Sequence, residues 1–327
     1  MKNNKKTIWP KVIIIIIVLI IVSVLFWGGL FVYELTQAKN KVITENFSGG
    51  APALNDANLP VIGESETNYN YINILLLGNG GANHPGGALC DVIQVLSINT
   101  KTKKALMVSV PRDLFVDING SKHKINEMYF RGEAQGKGMG GAESKKIVGE
   151  FLGLPIHYYL KIDFAGFKKM VDTLGGIDVK VDKGISDSVW GYHISPGPHH
   201  FNGSQTLDYV RSRYSTSDFD RSERQQKALV AMRDQALSSE FLADPKKISE
   251  AITILANNFR TDITPEEMIK LAYLVRDIPD ENISDYVFST EADNLLYSTI
   301  TRGGAYGIFP KGDNYDQIHQ FIKQKLP

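Results

Sequence analysis

The chain has 327 residues, with 36 basic and 36 acidic side chains and a single cysteine. The length allows one large domain or two modest ones with ample core. Zero net charge excludes the basic surplus of a nucleic-acid binder, and the lone Cys90 excludes an internal disulfide and a cysteine-rich zinc site.

The first element is VIIIIIVLIIVSVLFWGGLFVY, from Val12 to Tyr33, apolar throughout and without a charge. It is long enough to cross the hydrocarbon core of a bilayer as a helix. Lys2, Lys5, Lys6 and Lys11 precede it and Glu34 follows. The positive-inside rule therefore places residues 1–11 in the cytoplasm and everything beyond 33 outside the cell membrane. A cleaved signal peptide would end in small residues; bulky Trp27, Phe31 and Tyr33 predict an uncleaved, single-pass transmembrane anchor instead. Residues 34–70 lack periodicity and are rich in Gly, Pro, Asn and Ser, the composition of a linker.

Folded structure is expected from 71 onward. INILLL (72–77) reads as a buried strand, and VIQVLSI (92–98) and ALMVSV (105–110) as a hairpin around the polar turn NTKTKK. Helical patterning covers 125–131 and 143–152. IHYYLKI (156–162) is strand-like, and 163–176 reads as a helix capped by Asp163 and ended by glycines. IDVKV alternates as a strand, and a long helix is expected from Ser222 to Ser238. Strands interleaved with helices predict an α/β sandwich with a central mixed sheet flanked by helices. Residues 71–240 form its main part. A C-terminal α/β extension, 241–327, is expected to pack on it, with two helices, strands at ISDYVFS and GAYGIF, and a helix at 314–325. The second of those helices opens on Thr264, Pro265 and Glu267, a capping box with proline in its first turn.

Four stretches could carry chemistry. LDYVRSRYSTSDFDRSERQQ, from Leu207, holds four arginines and no lysine between Arg211 and Arg224. A guanidinium grips phosphate or carboxylate through a planar fork. Arg211 and Arg213, two apart, share one side if the chain there is extended, and Arg221, Arg224 and Gln225 share one helix face. They form either a multi-arginine anion cradle or a face ion-paired internally by Asp218, Asp220 and Glu223. VSVPRDLFV (108–116) sets Arg112 and Asp113 at a strand end, where such pairs commonly only brace a loop. GNGGANHPGGALCD (78–91) leaves a strand with five glycines, which let backbone approach a ligand closely. It matches no nucleotide loop. Asp91 opens the next strand, where a carboxylate suits a divalent ion, and His84 lies in the loop. In KINEMYFRG, Lys124 suits phosphate or solvent equally. His199 and His200 read as turn residues without a role.

Taken in order, NILLLG (73–78), Asp91, SINTKTKK (97–104), SVPRDLFV (109–116), KIN (124–126), FAGFKKMVDTLGGIDVKV (164–181), FNGSQTLDYVRSR (201–213) and DFDRSERQQ (218–226) resemble the LytR–CpsA–Psr family of membrane-anchored cell-wall enzymes. The likeness covers residues 72–238. It implies an α/β sandwich with an apolar tunnel for a lipid tail. The implied reaction is a phosphotransfer moving a glycopolymer, such as wall teichoic acid or capsule, from polyprenyl pyrophosphate to a peptidoglycan hydroxyl. By motif match Arg112, Lys124, Arg211, Arg213, Arg221 and Gln225 would bind the pyrophosphate, with Asp91, Arg112 and Arg213 at the reacting centre. Asp91 would hold Mg2+ (or Mn2+). A general base is not assigned beyond Asp91 or Asp113.

The glycine loop departs from the family pattern, because its first aspartate and two arginines are missing. His84 is the candidate replacement ligand, one that favours manganese over magnesium. Cys90 reads as packing. The altered loop also motivates a second reading, a non-catalytic protein that binds polyprenyl lipids or regulates wall assembly. A third, a pyrophosphatase acting on soluble substrates, predicts no apolar tunnel beside the arginines.

Overall fold

A computed structural model describes residues 71–327 apart from 83, 189–190, 213–217, 292 and 313. The anchor and linker expected at 12–33 and 34–70, and Arg213, lie outside the described residues. Among the described residues no helix is long and apolar enough to cross a membrane.

The centre is a six-stranded mixed sheet. It contains β1 (Tyr71–Asn79), β2 (Cys90–Asn99), β3 (Lys104–Ser109), β6 (Tyr158–Asp163), β11 (Phe259–Thr261) and β12 (Ile283–Val287), in the order β11-β6-β1-β2-β3-β12. β1 runs antiparallel to β2 and parallel to β6, and β12 runs parallel to β3. Two strands from beyond residue 241 therefore form the edges of the same sheet.

The period-2 alternation of β1 sends Leu75 and Leu77 to one face and Leu76 and Gly78 to the other. The first face packs on α1 (Met128–Gln135), α2 (Met139–Leu152) and α9 (Asp316–Lys325), through Met128, Ile147, Phe151, Ile318 and Ile322. The second face looks toward α3 (Phe164–Leu174), α4 (Gly203–Arg211), α5 (Asp218–Ala236) and α7 (Pro245–Asn258). α6 (Ser239–Leu242) links α5 to α7. α8 (Pro265–Arg276) closes the lower end of the sheet with Leu271 against Ile72 and Ile98.

Small hairpins complete the body. These are β4 (Phe115–Ile118) with β5 (Ser121–Lys124), β7 (Ile177–Val181) with β10 (Gly197–Phe201), β8 (Ile185–Asp187) with β9 (Tyr192–Ile194), and β13 (Leu296–Ile300) with β14 (Tyr306–Pro310).

Local signals act as their chemistry requires. The Asp163 carboxylate accepts from the Gly166 N–H and starts α3, and Thr264 and Glu267 close a capping box on α8. Three expectations need correction. Arg211 is the last residue of helix α4, not part of an extended pair, because a capping box of Asn202 and Gln205 nucleates a helix there. α5 begins at Asp218 rather than Ser222. His199 and His200 lie in β10, paired with β7, where His200 meets the Asp178 carboxylate at 2.8 Å and the Gly175 carbonyl at 2.9 Å.

Candidate functional site

The second sheet face does not close completely over its helices. Between Leu76, Leu160 and Ile162 of the sheet and Phe167, Leu207, Leu229 and Met232 of the helices lies an apolar cavity of about 460 Å³. Helix α5 forms one wall with Gln225, Ala228, Leu229 and Met232, spaced to share a face. Beside it is a polar pocket of about 210 Å³ lined by His84, Asp91, Arg112, Asp187, Arg211 and Arg221. Val92, Phe164, Val210 and Gln225 line both, so the two meet at the ends of β1 and β2.

The polar pocket is assembled from seven separate stretches of the chain. Asp91 stands on β2, and its Oδ1 accepts from Arg112, which follows β3. Asp113 faces the Arg112 Nε at 3.4 Å, and its other oxygen accepts from Lys124 Nζ at 2.6 Å. Lys124 is thus tied to Asp113 and is not among the residues lining the pocket. Arg221 is 4 % exposed and reaches the Asp91 carbonyl at 3.5 Å. Arg211 lies over the Phe164 ring, its central carbon 4.5 Å from the centroid, and donates to His84 Nε2 at 3.1 Å.

The glycine loop folds on itself. The Gly81, His84 and Gly87 N–H groups are bonded within the loop, and Asn79 Nδ2 donates to the Gly87 carbonyl at 2.5 Å. Gly80 makes room for the imidazole, since a β-carbon there would lie 2.8 Å from ring atoms of His84. Here the glycines seat His84 beside Arg211. The His84 Nδ1 lies 2.8 Å from the Pro85 carbonyl. With Nδ1 donating there and Nε2 accepting from Arg211, both ring nitrogens are engaged. His84 therefore does not fit a metal-ligand role in this arrangement. Among the described residues no group of three or more His, Cys, Asp or Glu side chains could hold an ion. Asp91 fits a divalent ion only through its second carboxylate oxygen, sharing the ion with ligand phosphates, as magnesium sites commonly do.

Arg224 and Gln225 serve α4. A helix leaves its last four carbonyls without partners. Arg224 donates to the carbonyls of Tyr209 (2.9 Å) and Ser212, and Gln225 to that of Val210 (3.2 Å). Arg224, 7 % exposed, is a brace that holds the Arg211 end of α4 against α5. Asp187, 2 % exposed, accepts from Ser212 Oγ at 3.1 Å. The sequence reading missed it. Its signal was an acid at an inward position of an alternating strand, one after exposed Ser186 and two after buried Ile185. Phe164 was also missed. Burial pushes the Cys90 thiol up to about 12, so it is packing rather than a nucleophile.

The model of the LytR_cpsA_psr family matches residues 33–323. The polyisoprenyl-teichoic acid–peptidoglycan teichoic acid transferase TagU of Bacillus anthracis is 28 % identical over 265 residues, covering 76 % of this chain and 82 % of that one. TagU of Enterococcus faecalis is 31 % identical over 218 residues, covering 64 % and 68 %. Among solved structures, TagV of B. subtilis superposes with a TM-score of 0.62 at 28 % identity, covering 78 % of this chain and 97 % of that one.

Proposed function

From the premise that the chain belongs to the LytR_cpsA_psr family, we propose that it is a phosphotransferase. It moves a glycopolymer from a polyprenyl-pyrophosphate carrier to a hydroxyl of peptidoglycan and releases polyprenyl phosphate. The observation that carries this reading is the meeting of an apolar cavity with a pocket holding three guanidinium groups. A donor with a long hydrocarbon tail and a doubly charged head needs both, side by side. The B. anthracis relative, a polyisoprenyl-teichoic acid–peptidoglycan teichoic acid transferase, supports transfer of this kind.

In this proposal the tail lies between Leu160 and Leu229, and the pyrophosphate rests among Arg112, Arg211 and Arg221. Arg213 belongs to the same motif and joins them as part of the proposal. The acceptor oxygen forms a bond to the sugar-linked phosphorus, and the bond to the bridging oxygen breaks. The leaving polyprenyl phosphate keeps the electron pair. Phosphoryl transfer depends on positioning and charge stabilisation. The guanidiniums supply both, in a site shielded on one side by hydrocarbon. Asp91 lines the pocket and Asp113 does not, so Asp91 is the better placed of the two to take the acceptor proton. A divalent ion held by Asp91 and the donor phosphates would add charge neutralisation when bound. Lys124 acts through Asp113, fixing Arg112. The apolar segment 12–33 would keep the domain near the bilayer, where such a donor resides.

The apolar cavity counts against a pyrophosphatase for soluble substrates. The test is release of polyprenyl phosphate by the full chain in detergent, given a polyprenyl-pyrophosphate glycan and peptidoglycan. Release that disappears in Arg211→Ala supports transfer. Tight lipid binding without turnover under any divalent ion would replace it with a purely lipid-binding role.

A further inference from the structure

We propose that the β13–β14 hairpin is a stacking platform for the sugar rings of the acceptor glycan, an inference that rests on the transfer reaction above. Three aromatic rings from separate parts of the chain lie in series. Phe115 and Phe309 stack with centroids 5.0 Å apart and planes 11° apart, and Phe309 and Tyr297 follow at 5.7 Å and 28°. Tyr297, at the outer end, is 44 % exposed. Gly307 lets Phe115 lie on the hairpin, since a β-carbon there would sit 2.5 Å from the Phe115 ring.

The inner end of this ladder is linked to the phosphate pocket through Lys124 and Asp113, which stand just outside it. Lys124 Nζ sits 5.9 Å from the Phe115 centroid and bonds Asp113, whose neighbour Arg112 lines the pocket. The backbone makes the same connection. Ile308 N–H donates to the Asp113 carbonyl at 3.0 Å, and Leu114 forms a parallel bridge with Ile308. The platform is therefore continuous with the loop that carries Arg112.

Its side of the sheet selects the acceptor over the donor polymer. Leu114, Val116 and Ile308 belong to the core on the face packed by α1 and α2, whereas the apolar cavity lies on the opposite face. In-line displacement brings the attacking oxygen in opposite the leaving group. With the polyprenyl phosphate on the cavity side, a hydroxyl guided along the hairpin arrives from the required direction. The outer face of the Tyr297 ring is electron-rich and suits the C–H face of a pyranose ring. A tyrosine also presents that area with little side-chain entropy to lose.

The experiment uses the full chain in detergent, with a polyprenyl-pyrophosphate glycan as donor and soluble peptidoglycan glycan strands as acceptor. In Tyr297→Ser the acceptor KM is expected to rise about tenfold, equivalent to ~1.4 kcal/mol. The donor KM and the kcat at saturating acceptor should stay unchanged, and Tyr297→Trp should restore the acceptor KM. Glycan strands binding in the absence of donor should weaken by the same factor. An unchanged acceptor KM in both Tyr297→Ser and Phe309→Leu, with native melting temperatures, would overturn the platform. So would a rise in donor KM alone, which would assign the hairpin to the donor polymer. If the wild type binds strands through Tyr297 yet releases no polyprenyl phosphate, the platform stands and the transfer reading falls.

Discussion

Arg211 donates to Nε2 of His84 across 3.1 Å while its guanidinium rests on the Phe164 ring. Charge, fork geometry and stacking are combined in one side chain, and only the charge survives replacement by lysine. In Arg211→Lys, polyprenyl phosphate release should fall by about 10²–10³-fold, the usual loss when one positioned donor is removed from a charge-stabilising site. Single-turnover kinetics at saturating donor measure this. Wild-type turnover would remove Arg211 from the reacting centre.

Arg224 tests the opposite role. Its guanidinium satisfies the carbonyls of Tyr209 and Ser212 in a buried setting. Arg224→Met should lower the unfolding free energy by about 2–3 kcal/mol, since both carbonyls lose a charged donor. Urea denaturation should show this loss in Arg224→Met and near-native stability in Arg211→Lys.

The apolar cavity should read the length of the donor's tail. Leu229 forms part of its wall, and Leu229→Trp would occupy space meant for hydrocarbon. The variant is expected to raise the KM for a long polyprenyl donor and leave a donor with a short chain unaffected. Equal effects on both donors would place the tail elsewhere.

His157 makes stability depend on pH. It is 4 % exposed, its Nδ1 accepts from the Asn73 N–H, and burial pushes its pKa down to about 4. The unfolded state has the ordinary value of about 6.5, so below that pH it binds a proton that the folded state refuses. Stability is full above about pH 6.5 and falls by up to ~1.4 kcal/mol per pH unit down to about 4. His157→Gln should flatten this limb in denaturation curves recorded from pH 7 to 4.

Divalent-ion dependence separates the two candidate ligands. Both nitrogens of His84 are engaged by neighbours, whereas Asp91 keeps one oxygen clear of Arg112. His84→Gln should leave the Mg2+ midpoint of polyprenyl phosphate release unchanged, whereas Asp91→Asn should abolish both release and the binding of Mg2+ in the presence of donor, read by calorimetry. A shifted midpoint in His84→Gln would restore it as a ligand.

Much of this architecture is legible in the sequence because it rests on local chemistry. Apolar runs mark β1, β2, β3 and β6, and Asp163 and Thr264 mark helix starts. The motif order brings Asp91, Arg112, Arg211 and Arg221 to one pocket. Spacing could not say that Arg211 ends a helix, because its two-residue offset from Arg213 fits a strand equally well. Nor could spacing separate Arg221, which faces the pocket, from Arg224, which braces α4, since both lie on α5 three residues apart. The Phe115–Phe309–Tyr297 ladder was hidden because tertiary pairing alone brings it into place, whereas Asp187 left only the weak trace of an acid at an inward strand position.

The most direct test is a crystal structure of the chain with a polyprenyl-pyrophosphate glycan. Its phosphate oxygens should lie within hydrogen-bond reach of Arg112, Arg211 and Arg221, with the hydrocarbon running between Leu160 and Leu229. A headgroup bound away from those guanidiniums, or a tail left outside the cavity, would contradict the account.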